Sequence, residues 1–217
     1  MPPESAKVIA LRRLLDERFP AAALRQRRIV PTGVPALDVL LGGGLLSGTL
    51  TEFVSAVPSG GSQSSVGSLI LATRLARQLM ALVDASGTID LAGLDDDAVA
   101  HLVWVRCASL SETWRAADVA ARDPNYAVVV VDVRGFPERE VRRTRDAVWV
   151  RLQRAAEHAE TALAVQSESA VVPNAARRIV FAAPLAAALL IRPRAEVIAA
   201  LAPALQRARV RALGGTG

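Results

Sequence analysis

The chain has 217 residues, 52% of them apolar and 22% charged, and a formal net charge of +5. That length suits one large domain, or one domain with appendages, and the apolar content allows a sizeable core. One cysteine, Cys107, excludes an internal disulfide and fits a reducing cytoplasm, and the longest apolar run, 179–191, contains Pro184 and is too short to span a bilayer.

The N-terminal stretch is charged throughout, which predicts no secretory leader, and it places Val8, Leu11, Leu14 and Leu15 at helical spacing. The reading is an amphipathic arm over 5–19, ended by Pro20 and followed by the basic link that holds Arg25, Arg27 and Arg28. A turn then leads into a short helix over 35–41 that carries Asp38. Gly42, Gly43 and Gly44 form a hinge after it, because glycine reaches backbone angles closed to other residues. A strand is expected over 50–54, a loop over 55–61, and a helix over 62–80 with Leu69, Ala72, Leu75, Ala76 and Leu79 as its buried stripe. Residues 81–84 read either as the end of that helix or as a short strand.

Further along, a helical turn is expected over 95–99 and a strand over 102–106. The helix over 109–121 opens with Ser109 as cap and Glu112 three residues on, the capping-box spacing. The run YAVVVVDV at 126–133 is apolar without alternation, as expected of a strand covered on both faces. A long charged helix is expected over 137–159, with Val141, Val148, Leu152 and Ala155 as its seam. Further strands are expected over 163–166, 178–182 and 186–191, then a helix over 195–202. Such strand–helix alternation predicts an α/β fold with a mostly parallel sheet and helices on its faces. The expected division is an arm and linker at 1–28, a core domain at 29–192 and a partly flexible segment at 193–217.

Strand, Gly/Ser loop and helix is the arrangement that cradles a nucleotide phosphate. A working loop of this kind needs glycines that turn N–H groups to the phosphates, a lysine for the terminal phosphate and a hydroxyl for magnesium. The matching stretch here holds Ser55, Pro58, Ser59, Gly60, Gly61 and Ser62. Ser55 stands in place of the first glycine and Gly61 in place of the lysine, and no cation follows before Arg74. The expectation is a degenerate turn that binds no nucleotide cofactor. His101 and His158 are isolated, so no metal site is expected. Trp104, Trp114 and Trp149 are read as packing residues, and the sequence shows no evident basic partner for Cys107, so it is not read as a nucleophile.

The stretch TGVPALDVLLGGGLLSGTLTEFV resembles the entry to the core of the RecA family, and the resemblance continues through ALVDASGTID, LVWVR, the helix at 109–121 and YAVVVVDV. It covers roughly 29–192 and implies a RecA-like fold. In that family the segment similar to Asp84-Ala85-Ser86 carries a glutamate that polarises the attacking water; here Ser86 stands there. Asp132 matches the family's magnesium-side aspartate, although beside such a loop it reads better as a strand-end turn residue. IVPTGVPALD, the GGGL hinge, WVR after the DASGTID loop and RLQRAAEHA most resemble the ImuA proteins, which are related to the SulA-like proteins. That resemblance implies no ATPase activity and a role in SOS-induced translesion synthesis and mutagenesis. The partners it implies are ImuB, an inactive polymerase homologue, together with an error-prone polymerase and RecA.

Candidate contacts with such partners, or with DNA, are Leu11, Leu15, Arg25, Arg27, Arg28, Arg139, Arg142 and Arg143. The weakly charged stretch 166–177 argues against a full single-strand channel, so direct DNA binding should be weak and salt-sensitive. The arm suggests self-association or docking to RecA. The expected location is the cytoplasm, at the nucleoid. The alternatives are a SulA-type division inhibitor that binds FtsZ, and a RecA-like protein with residual ATP or DNA binding.

Overall fold

The computed structural model describes residues 27–85, 87–91 and 93–206. The arm, with Leu11, Leu15 and Arg25, lies outside the described residues, as do Ser86 and residues 207–217. The described chain opens with an antiparallel ribbon of β1 (Ile29–Val30) and β2 (Leu45–Leu46) around α1 (Pro35–Leu41). Asp38 fixes this entry: its Oδ1 accepts from the Thr32 backbone N–H and from the Thr32 hydroxyl, each at 2.8 Å. Pro35 sits in the first turn of α1, where a missing N–H costs nothing. Gly44 is needed because a β-carbon there would overlap the Val30 carbonyl.

The main sheet has seven strands in the order β5-β4-β6-β7-β3-β8-β9. They are β3 (Leu50–Ser55), β4 (Leu79–Asp84), β5 (Leu102–Arg106), β6 (Tyr126–Asp132), β7 (Ala162–Ser167), β8 (Arg177–Phe181) and β9 (Ala204–Gln206). All pair in parallel except β9, which runs antiparallel along β8. The helices are α2 (Ser62–Leu75), α3 (Asp96–Val99), α4 (Leu110–Ala121), α5 (Glu138–Arg142), α6 (Asp146–Ala159), α7 (Ala187–Leu190) and α8 (Arg194–Ala199). Successive strand residues face opposite sides, so the sheet has two cores. On one side Phe53, Leu82, Val128, Val130 and Ala164 pack with Val66, Leu69 and Ile70 of α2. On the other, Val83, Val129, Val131 and Val165 pack with Trp114 of α4 and with Trp149 and Leu152 of α6. This is the mostly parallel α/β sandwich that the strand–helix alternation predicts.

Several expected elements change. α2 ends at Leu75, not at residue 80, and the strand begins at Leu79. Arg77 takes a left-handed conformation with φ 54°, and Gln78 N–H donates back to the Thr73 carbonyl at 2.9 Å, which reverses the chain. Of the expected stripe only Leu69 is buried: Leu75 is 86% exposed, and Val66, Leu69, Ile70 and Thr73 form the buried face. The long helix over 137–159 is two helices, because Arg145 is extended and Asp146 begins α6 where its charge suits a helix N-terminus. The expected strand at 186–191 is the short helix α7. β9 already fills the edge of β8, so that stretch has no strand to pair with.

Glu52 sits in β3 with no exposed surface, and its charge is fully engaged. Arg178 Nε donates to its Oε2 at 2.6 Å, while Val171 N–H, Val172 N–H and the Ser167 hydroxyl donate to Oε1 at 2.7, 3.0 and 3.2 Å. The loop after β7 is therefore tied to the centre of the sheet. His101, 8% exposed, donates from Nε2 to Thr73 Oγ1 at 2.8 Å, since the Thr73 hydroxyl itself donates to helix carbonyls. Its Nδ1 then has no partner among the described residues. Burial, and secondly the Arg74 charge, push the imidazole below its ordinary value.

Two outcomes are expected. Glu52→Ala leaves Arg178 without its carboxylate and should cost about 3 kcal/mol or more in chemical denaturation. The folded His101 resists a proton that the unfolded chain accepts, so its contribution is present above about pH 6.5 and is lost as pH falls below that value. Thermal melts from neutral to mildly acidic pH should show this loss, and His101→Gln should flatten it.

Candidate functional site

The parallel strands bring a set of polar side chains to one edge of the sheet. Asp84, Asp132 and Gln166 lie side by side in register at the ends of β4, β6 and β7, facing the α2 side. Gln166 is fully buried, and neither its Oε1 nor its Nε2 has a partner among the described residues. β3 ends beside them at Ser55, and the turn 55–62 carries the chain into α2.

The structure brings Ser55, Pro58, Ser59, Gly60, Gly61 and Ser62 together in this turn, as their spacing suggests. Gly61 has φ 92° and caps α2 without a side-chain hydrogen bond. Gly60 is required by close approach, since a β-carbon there would lie 2.9 Å from the Phe181 carbonyl oxygen. At Gly61 a β-carbon would fall onto Leu201 Cδ2. The place where a side chain would emerge is filled by Leu201, a 4% exposed residue that follows α8. Leu185 N–H donates to the Ser59 carbonyl at 3.0 Å, a second tie between the turn and the C-terminal part of the chain.

Arg134 joins the turn to β6. Its Nε and Nη2 donate to Asp132 Oδ1 and Oδ2 at 3.0 and 2.7 Å, and its backbone N–H donates to Oδ1 at 3.0 Å. Its Nη1 donates to Ser62 Oγ at 3.4 Å, and the Ser62 and Ser55 hydroxyls are hydrogen-bonded to each other. The side chains of Asp132 and Arg134 are 0% and 14% exposed. A guanidinium thus bridges the strand-end carboxylate and the first hydroxyl of the helix. Sequence reasoning took Asp132 as a turn residue and missed this role for Arg134. The only local signal was an arginine two residues after the aspartate.

A groove of about 1190 Å³ opens over the turn. Arg192 and Arg194 line it, as do Asp90, Glu138 and Glu168. The Arg194 guanidinium lies against α2 at Gly67, with Nη1 2.6 Å from the point a β-carbon would occupy. Asp84 is engaged elsewhere, accepting from Gly87 N–H at 2.8 Å and from Trp104 Nε1 at 3.3 Å.

The remaining candidates are scattered. Arg27 and Arg28 are exposed, and Arg28 donates to the Glu160 carbonyl at 3.3 Å. Arg139, Arg142 and Arg143 are exposed on or just after α5, but Arg142 is held by Glu138 and donates to Ser169 at 3.3 Å. Hydrogen bonding from Arg142 lowers the Glu138 carboxyl below the usual range. Trp114 and Trp149 are buried and meet edge to face, with centroids 4.8 Å apart. Trp104 lies under the Arg106 guanidinium at 4.2 Å. Burial raises the Cys107 thiol above its ordinary value. Among the described residues no helix is long and apolar enough to cross a membrane.

No model of a known protein family matches the chain, and no curated protein matches it. Among solved structures it is similar to one described as the crystal structure of the RadB recombinase, with 19% identity and a TM-score of 0.56, covering 70% of this chain and 82% of that one. The fold is RecA-like: a mostly parallel seven-stranded sheet flanked by helices.

Arg134→Ala should strip a buried carboxylate of its partner and cost about 3 kcal/mol. Adding Asp132→Asn should recover part of that loss, a coupling that a double-mutant cycle in urea measures.

Proposed function

We propose that this chain is a non-catalytic RecA-like adaptor in SOS-induced translesion synthesis, acting through the proteins it contacts. The observation that carries the first half of this reading is the Arg134 bridge. A magnesium nucleotide in such a turn needs a cation beside the terminal phosphate and a hydroxyl and carboxylate free for the metal. At the first position there is Gly61 with Leu201 against it, and at the second Arg134 holds both Asp132 and Ser62. The residues present do not fit that ligand. Ser86, at the place of the water-polarising glutamate, adds a sequence argument only.

The second half rests on the ImuA resemblance of IVPTGVPALD, GGGL, WVR and RLQRAAEHA. On this reading an ImuB-like polymerase homologue, an error-prone polymerase and RecA are the partners, in the cytoplasm at the nucleoid. DNA is a minor ligand. The loop after β7 is bound down by Glu52 and Arg178, which leaves little of it to wrap a single strand.

Titration with ATP and magnesium should give no saturable binding at millimolar nucleotide and no turnover; tight binding with turnover would favour a residual ATPase, the activity class of a recombinase. Affinity capture from DNA-damaged cells should recover the polymerase homologue. Recovery of FtsZ in its place would make the chain a division inhibitor.

A further inference from the structure

A second cleft lies on the face of the sheet that α4 and α6 cover, opposite the side that holds α2. The two helices pack through Trp114 and Trp149. Beside the C-terminal end of α4 lies a groove of about 410 Å³. Arg122 lines it from α4, and Ala147, Val150, Arg151, Arg154 and His158 line it from α6.

The groove is cationic by construction. Asp118 is the acid that two of its guanidiniums share: Arg122 donates from Nη2 and Nε at 3.0 and 3.1 Å, and Arg151 Nε lies 3.2 Å away. Arg154 and His158 have neither an ion pair nor a hydrogen bond among the described residues. One carboxylate against three arginines leaves an uncompensated positive charge. The groove also has an apolar part: Val150, 37% exposed, lines it with Ala147 and Ala155.

We propose that this groove docks an acidic segment of a partner protein, with an apolar side chain set between its carboxylates. Asp118 already shows the mode, a carboxylate taken by arginine forks, and such charge-assisted pairs are the stronger ones. Arg154 stands ready for a second carboxylate, and Val150 with Ala147 covers the apolar side chain. A nucleic acid would answer the charge but not the apolar floor. It would also find no ring to stack on, since Trp114 is 7% and Trp149 1% exposed. The inference goes beyond the adaptor reading by naming a surface and the chemistry it takes, and it holds whichever protein supplies the segment.

The test uses the full chain, a fluorescein-labelled peptide of Asp, Glu and Leu residues, and labelled oligo(dT). In fluorescence anisotropy at low salt the peptide should bind, and added salt should weaken it. Arg154→Glu and Val150→Asp, each confirmed as folded by near-ultraviolet circular dichroism, should weaken it about tenfold or more. Arg177→Glu, an equal change of charge on β8, should leave it unchanged. Should Arg154→Glu fail to fold, Arg154→Ala, which only shortens an exposed side chain, reads the same loss. The proposal is overturned if the peptide does not bind, if both groove variants bind it as the parent does, or if oligo(dT) alone binds in a manner that depends on Arg154. Its failure leaves the nucleotide titration untouched, so the two readings fall separately.

Discussion

A charged carboxylate taken out of water is costly unless its charge is answered, and at Asp132 the answering cation is Arg134. The pairing does more than neutralise a charge. The guanidinium is planar and forked, so once two of its nitrogens hold Asp132 the third points in a fixed direction, toward Ser62. Ser62 in turn meets Ser55, and the end of one strand, the start of the next helix and the end of a non-adjacent strand become one unit. A lysine at position 134 would supply the charge without the fork, and the link to α2 would be lost.

Glu52 works on the same principle deeper in the sheet. It stands in β3, between β7 and β8, and collects donors from both sides of the loop that joins them. Buried ion pairs add little net stability because desolvation offsets the attraction, but they penalise every arrangement that separates the partners. Here the penalised arrangement is a loose loop after β7. Among the described residues two buried carboxylates at strand positions, Glu52 and Asp132, are thus each held by an arginine, and each fixes a connection.

Much of the fold was legible because it rests on local signals. The unbroken apolar run of 126–133 became β6, and Ser109 caps α4 with Glu112 N–H donating to its hydroxyl at 3.3 Å. The short helix at 35–41 and the glycines after it lie within a short span and read correctly for the same reason, although the clamp from Asp38 to Thr32 was not foreseen. The errors fall where tertiary structure decides. LMALVD continued the helical spacing of α2, but the sheet needed a strand between β5 and β6, and left-handed Arg77 has no reliable signature. The segment 186–191 is apolar enough for a strand and became a helix for want of an edge. At the candidate site the turn itself was legible. Its partners were not, because Arg134, Arg194 and Leu201 reach it from 72 to 140 residues away or over the body of the helix. Likewise the α4–α6 groove joins Arg122 to Arg151 and Arg154, which no linear spacing links.

Leu201 limits what position 61 can hold. A lysine placed at 61 would have to evict a buried leucine and also accept a backbone angle suited to glycine. Even then Arg134 would still occupy the serine and the aspartate. No single substitution undoes all of this, and each partial reversal passes through a less stable chain. On the adaptor reading, the turn is latched: any change at position 61 toward nucleotide chemistry is opposed by the neighbours that hold it.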